Sequence, residues 1–113
     1  MHEMAITQSI YNIAMQAAQD AGVSRVHSLK IRMGDYSEIV PALVQEYFEI
    51  LAKGGIAEGA QLQFIHVPLT VRCRTCGWQG EIDKRRIACK VCGGTNLQLL
   101  TGREFYVESI EAD

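Results

Sequence analysis

Four cysteines in two C-x-x-C pairs constrain this chain more than any other feature. Cys73-Arg-Thr-Cys76 and Cys89-Lys-Val-Cys92 are separated by twelve residues, and each pair is followed by glycine: Gly77 in one, Gly93-Gly94 in the other. Two intervening residues let both sulfurs of a pair face one point. The glycine that follows permits the left-handed turn of a metal knuckle. Two knuckles supply four sulfurs in a tetrahedron, the geometry of a closed structural zinc site with Zn–S of about 2.3 Å. A redox-active dithiol and an iron ion in place of zinc share the same ligand chemistry.

The cysteine segment also cannot fold on apolar burial alone. Between residues 73 and 94 the only aliphatics larger than alanine are Ile82, Ile87 and Val91. A segment so poor in core needs a staple. It reads as a small zinc-ribbon module, residues 69–99, inserted into an α+β domain made of residues 1–68 and 100–113.

That α+β domain is legible from periodicity. Residues 4–21 carry a helical stripe of Ile6, Ile10, Ile13, Ala14, Ala17 and Ala21, stopped by Gly22. Residues 26–33 alternate, with His27, Leu29, Ile31 and Met33 on one face of a half-buried strand. A second helix tolerates Pro41 in its first turn and presents Leu43, Val44, Tyr47, Ile50 and Leu51 before Gly54-Gly55. Residues 61–72 read as a strand interrupted near Pro68, and 104–110 as a last strand. The fold expected is a small sheet with two helices plus the inserted module.

Composition narrows the function. The chain has 113 residues, 48% hydrophobic and 21% charged, which suits a folded protein, and its net charge of −2 gives no global attraction to nucleic acid. No apolar run reaches membrane-spanning length, and the first residues do not read as a signal peptide. A cytosolic location follows as an expectation, where cysteines are reduced or metal-bound. Locally, six cations (Arg72, Arg74, Lys84, Arg85, Arg86 and Lys90) face two acids (Glu81 and Asp83) around the cysteines. They read as compensation for an anionic four-thiolate centre. A nucleic-acid-binding zinc ribbon is the rival reading. No phosphate-binding loop, nucleophile elbow or catalytic acid pair is present, so an enzyme is not expected.

The first three residues are a second constellation. Met1-His2-Glu3 places an α-amine, an imidazole and a carboxylate together. His2 is bulky enough to protect Met1 from trimming, so the amine belongs to Met1. Amine, His2 backbone nitrogen and His2 imidazole can close chelate rings on one ion, with a further donor from Glu3, either its carboxylate or its backbone nitrogen. Deprotonated amide nitrogens favour square-planar Ni(II) or Cu(II) over Zn(II). On its own, a second-position histidine is more often a solvated side chain. His27 and His66 read as strand-face residues rather than ligands.

Taken together, the "MHE" start, the strand "VHSLKIRMGDYSEIVP", the helix "ALVQEYFEILAKGG", the run "AEGAQLQFIHVPLTVRCRTCG" and the closing "EFYVESIEAD" resemble the HypA/HybF family of hydrogenase nickel-insertion chaperones. The resemblance covers the whole chain. It implies a protein that is not an enzyme and that binds transferable Ni(II) through Met1, His2 and Glu3. It implies a separate structural Zn(II) on Cys73, Cys76, Cys89 and Cys92. It implies a HypB-type GTPase partner, delivery to the [NiFe]-hydrogenase large subunit, and in some members service to urease maturation. Monomers and domain-swapped homodimers are both expected in such a family. Some relatives recruit a further histidine from the zinc module; no histidine follows His66 here.

Overall fold

A computed structural model describes residues 3–113; Met1 and His2, and the expectations attached to them, lie outside the described residues. The elements run α1 (Glu3–Ala21), β1 (Val26–Gly34), α2 (Pro41–Ala52), β2 (Gln61–Val67), β3 (Thr70–Cys73), β4 (Gln79–Glu81), β5 (Leu97–Thr101) and β6 (Phe105–Ala112). They form two three-stranded sheets, ordered β2-β1-β6 and β4-β3-β5. The architecture is α+β. Among the described residues no helix is long and apolar enough to cross a membrane.

The chain divides into two compact units. One takes in the chain up to Arg32 together with Glu38–Ile65 and Tyr106–Asp113; the other comprises Met33–Ser37 and His66–Phe105.

In the first unit α1 and α2 pack against each other. The buried stripe of α1 is Thr7, Ile10, Ala14 and Ala18. It is rotated from the predicted one: Ile13 is 55% exposed, and Ala17 and Ala21 are exposed as well. A helix rich in alanine gives hydropathy little to orient it. Burial of Thr7 is possible because its hydroxyl donates to the Glu3 carbonyl oxygen at 2.6 Å. On α2 the inward row is Val44, Phe48 and Ala52, an i, i+4 line, while Ile50 faces solvent. Phe48 is fully buried and meets the Tyr11 ring edge-on, centroids 5.8 Å apart. Strand β1 buries Leu29 and Ile31 as expected. His27 leaves that pattern: it is exposed and its Nε2 lies 2.8 Å from Asp113 Oδ2.

The second unit contains strands that the sequence pattern does not announce. β3 pairs antiparallel with β4 and with β5, with Val71 opposite Gly80 on one side and Leu99 on the other. The run 61–72 is therefore two strands in different sheets, and Pro68, which has no N–H to donate, lies in the break. Leu69, Val71 and Ile82 form the core, with Trp78 and Leu97 packed against it. Most of that core comes from just outside the cysteine segment. Residues 33–37 join the unit through backbone bonds: the Gly34 N–H donates to Glu104 O (2.7 Å), Asp35 to Val67 O (2.8 Å) and Tyr36 to Gly102 O (2.8 Å). Gly34 is required there, because a Cβ on it would lie 2.0 Å from the Gly102 carbonyl oxygen.

Candidate metal centre

The two knuckles are built alike. At the first, the Gly77 N–H donates to Cys73 O at 2.9 Å and the Cys73 N–H to Trp78 O at 2.7 Å. At the second, the Gly93 N–H donates to Cys89 O at 3.0 Å and the Cys89 N–H to Gly94 O at 2.8 Å. Gly77 and Gly93 have φ of 82° and 73°, the left-handed conformation each turn needs. The chain thus folds back twice in the same way and aims two sulfurs from each turn at one point.

The outcome is a single cluster. One sulfur from each of Cys73, Cys76, Cys89 and Cys92 lies within 4.8 Å of all the others. Two close approaches run between knuckles: Cys73 to Cys92 at 3.6 Å and Cys76 to Cys89 at 3.5 Å. No disulfide links them. Cys73 and Cys89 are buried, Cys76 and Cys92 exposed. Among the described residues this is the only group of three or more His, Cys, Asp or Glu side chains placed to hold a metal ion.

Backbone amides prepare the sulfurs for negative charge. The N–H groups of Val91 and Cys92 both point to Cys89 Sγ at 3.4 Å, and the Gly94 N–H to Cys92 Sγ at 3.4 Å. Donation from the Cys76 amide is the main reason the Cys73 thiol is pulled down to about 6. Cys89 is lowered chiefly by the Cys92 amide. Their partners move the other way. The Trp78 amide pulls Cys76 down, but the Cys89 sulfur, burial and the other thiols outweigh it and push it up to about 12. The Gly94 amide likewise favours the Cys92 thiolate, and is outweighed by the Cys73 and Cys89 sulfurs, so that thiol is raised. Four sulfurs this close cannot all be anions by themselves. A dication at their centre removes the conflict, because thiolates, not thiols, are the ligands. The donor set therefore fits a closed four-thiolate metal ion.

Of the other predicted ligands, Glu3 is the one among the described residues. Glu3 is the first residue of α1. Its Oε2 accepts the Val40 N–H at 3.2 Å. Val40 is the N-cap of α2 and its own side chain makes no capping bond, so a carboxylate from another helix serves that end. The only hint of this contact in the sequence is the absence of a capping side chain before Pro41. His66 is not part of the cysteine cluster: it is exposed, with Nδ1 3.2 Å from Asp35 Oδ1.

A small α+β protein in which the one metal-ligating cluster among the described residues is a pair of thiolate knuckles is a metal-binding protein of the zinc-ribbon-bearing kind. The family model described as "Hydrogenase/urease nickel incorporation, metallochaperone, hypA" matches residues 1–112. The chain belongs to the HypA family of nickel metallochaperones. Among its relatives is a hydrogenase maturation factor HypA of Dehalococcoides mccartyi, 35% identical over all of this chain and 95% of the relative. Another is the hydrogenase maturation factor HypA of Nostoc punctiforme, 37% identical over all of this chain and 96% of the relative. The fold is that of the solution structure of the Ni metallochaperone HypA from Helicobacter pylori. That likeness has a TM-score of 0.68 at 18% identity, over 99% of this chain and 97% of the other. A further HypA solution structure matches with a TM-score of 0.73 at 18% identity, covering 100% and 97%.

Proposed function

We propose that this chain carries Ni(II) on its first three residues and delivers it for [NiFe]-hydrogenase maturation, while a structural Zn(II) is held by Cys73, Cys76, Cys89 and Cys92. The observation that carries the reading is the match of a nickel-incorporation family to residues 1–112, which includes the Met1-His2-Glu3 segment. The chelate consists of the Met1 amine, the His2 backbone nitrogen and imidazole, and a donor from Glu3. One oxygen of the Glu3 carboxylate is occupied by the Val40 N–H, which favours the Glu3 backbone nitrogen as the donor. That nitrogen opens α1, where helix N–H groups lack internal acceptors. The positive end of the helix also eases loss of an amide proton.

Nickel is cargo, so the site must be open and exchangeable. The nickel-binding part is residues 1–68 and 100–113, and the zinc-binding part residues 69–99. Zinc supplies folding energy and makes the module a rigid, metal-dependent docking and orienting element. The protein acts in the cytoplasm with a HypB-type GTPase and without catalysis of its own. The acceptor is the hydrogenase large subunit, with urease maturation proteins as a second destination.

The test is calorimetric nickel titration of untagged His2→Ala. Stoichiometric nickel binding should disappear while zinc content and fold persist. Normal nickel binding by that variant would sink the assignment. Nickel affinity of the wild type should rise with pH, because amine, imidazole and amide release protons on coordination.

A further inference from the structure

Against the second knuckle lies a cavity of about 470 Å³, lined by Ile82, Ala88 and Val91, by the knuckle's own Cys89 and Cys92, and by the charged Asp83, Arg86 and Lys90. The nickel reading gives it no role. Its surface is polar and apolar in nearly equal measure. The apolar part comes from Ile82, buried at 5% exposure in the core of the second unit, and from Val91, 69% exposed, the largest exposure of any bulky hydrophobic in the described chain. Water gains nothing from contact with these side chains, and a chain of net charge −2 has no general need to present them beside cations.

The charge around the cavity is one-sided. Asp83 is its acid, and Arg85 occupies it: the Arg85 backbone N–H (2.8 Å), Nε (3.2 Å) and Nη2 (2.9 Å) all donate to that carboxylate. The clamp leaves Asp83 locally neutralised. Lys84, Arg86 and Lys90 have no carboxylate within ion-pair distance among the described residues. The thiolates of this knuckle, for their part, take their hydrogen bonds from backbone N–H groups of Val91, Cys92 and Gly94. The cation heads remain available to an outside partner.

We propose that this face is a docking site for an acidic segment of a partner protein, one that seats an aliphatic side chain in the cavity and sets carboxylates against Lys84, Arg86 and Lys90. Both halves of the recognition are needed. Three exposed cations alone would hold any polyanion weakly and in a salt-dependent way. The aliphatic patch of Ile82, Ala88 and Val91 in this cavity anchors one side chain, and the surrounding charges fix its register and speed the encounter. Nucleic acid fits less well: no aromatic ring lines the cavity on which a base would stack, and Trp78 is engaged with the core of the unit.

The proposal stands independently of the nickel site, so its test uses zinc-loaded full-length protein without nickel. The probe is a short fluorescein-labelled peptide of glutamates around one central leucine, followed by anisotropy. The comparisons are the same peptide with glutamine for glutamate, the same peptide with serine for leucine, and a labelled oligothymidylate. Binding of the Glu/Leu peptide should exceed that of all three by about tenfold or more. It should fall by a similar factor in Lys84→Glu/Arg86→Glu/Lys90→Glu and by several-fold in Val91→Ser. Lys30→Glu, in the first unit, should leave it unchanged. Zinc content, measured on every variant, confirms that the module is folded. Equal binding of the glutamine or serine peptide, tighter binding of the oligonucleotide, or indifference to the triple charge reversal in a zinc-replete variant would each overturn the proposal.

Discussion

Replacing Cys73 by serine should unfold the second unit and leave the first one folded. Besides its cysteines, the buried core of the second unit is Leu69, Val71 and Ile82. At about 1.5–3 kcal/mol for each fully buried aliphatic, these contribute roughly 5–9 kcal/mol. That is less than a bound metal ion contributes at four thiolates. Zinc on a site of this kind supplies about 10–16 kcal/mol, as much as the whole stability of an ordinary domain. Removing Cys73, one of the two buried sulfurs of the cluster, takes that contribution away. The assay is amide hydrogen exchange on wild type, on wild type with a chelator, and on Cys73→Ser. Protection at Val71 and Leu97 should collapse in the last two, while Ile10 and Val44 in the first unit stay protected. A metal-free protein in which Val71 keeps its protection would refute the reasoning, because the small core would then suffice.

Two further outcomes follow from the geometry. Gly34→Ala puts a Cβ 2.0 Å from the Gly102 carbonyl oxygen, a backbone atom that cannot swing aside; the cost should be at least about 1–3 kcal/mol in urea unfolding, and an unchanged midpoint would contradict the close approach. Asp83, held down at about 2 first of all by its hydrogen bond from the Arg85 side chain, should titrate by carboxyl NMR near that value in wild type and move up towards 3.8 in Arg85→Ala. A depressed carboxylate stabilises the fold above its unfolded pKa and loses that contribution as pH falls through the folded one, so the clamp should be constant above about pH 4 and released only towards pH 2.

The parts of this protein that were legible in its sequence are those with one dominant cause. The four-sulfur cluster follows from spacing, because two residues between cysteines and a left-handed glycine after them leave few other turns. The limits of α1 and α2 follow from periodicity and from Gly22 and Pro41. The orientation of the helices was harder to read. Ala17, Ala18 and Ala21 carry too little hydrophobic contrast to say which faces inward, and the buried Thr7 looks polar until its bond to Glu3 O is seen. Strands β4 and β5 escaped for a different reason. Gln79-Gly80-Glu81 has no apolar alternation, and it pairs with β3 only because the first knuckle turns the chain back. The contact between Glu3 and Val40 joins residues far apart in sequence, and no local pattern encodes it.

As proposed, the chain holds two metals in two separate places, one retained and one passed on. Native mass spectrometry of untagged, zinc-loaded protein during nickel titration, followed by a mild chelator, addresses it directly. The account predicts one zinc per chain throughout, with one nickel added and then removed by the chelator. Loss of one zinc for each nickel gained would place nickel on the cysteines and contradict the assignment of Met1, His2 and Glu3.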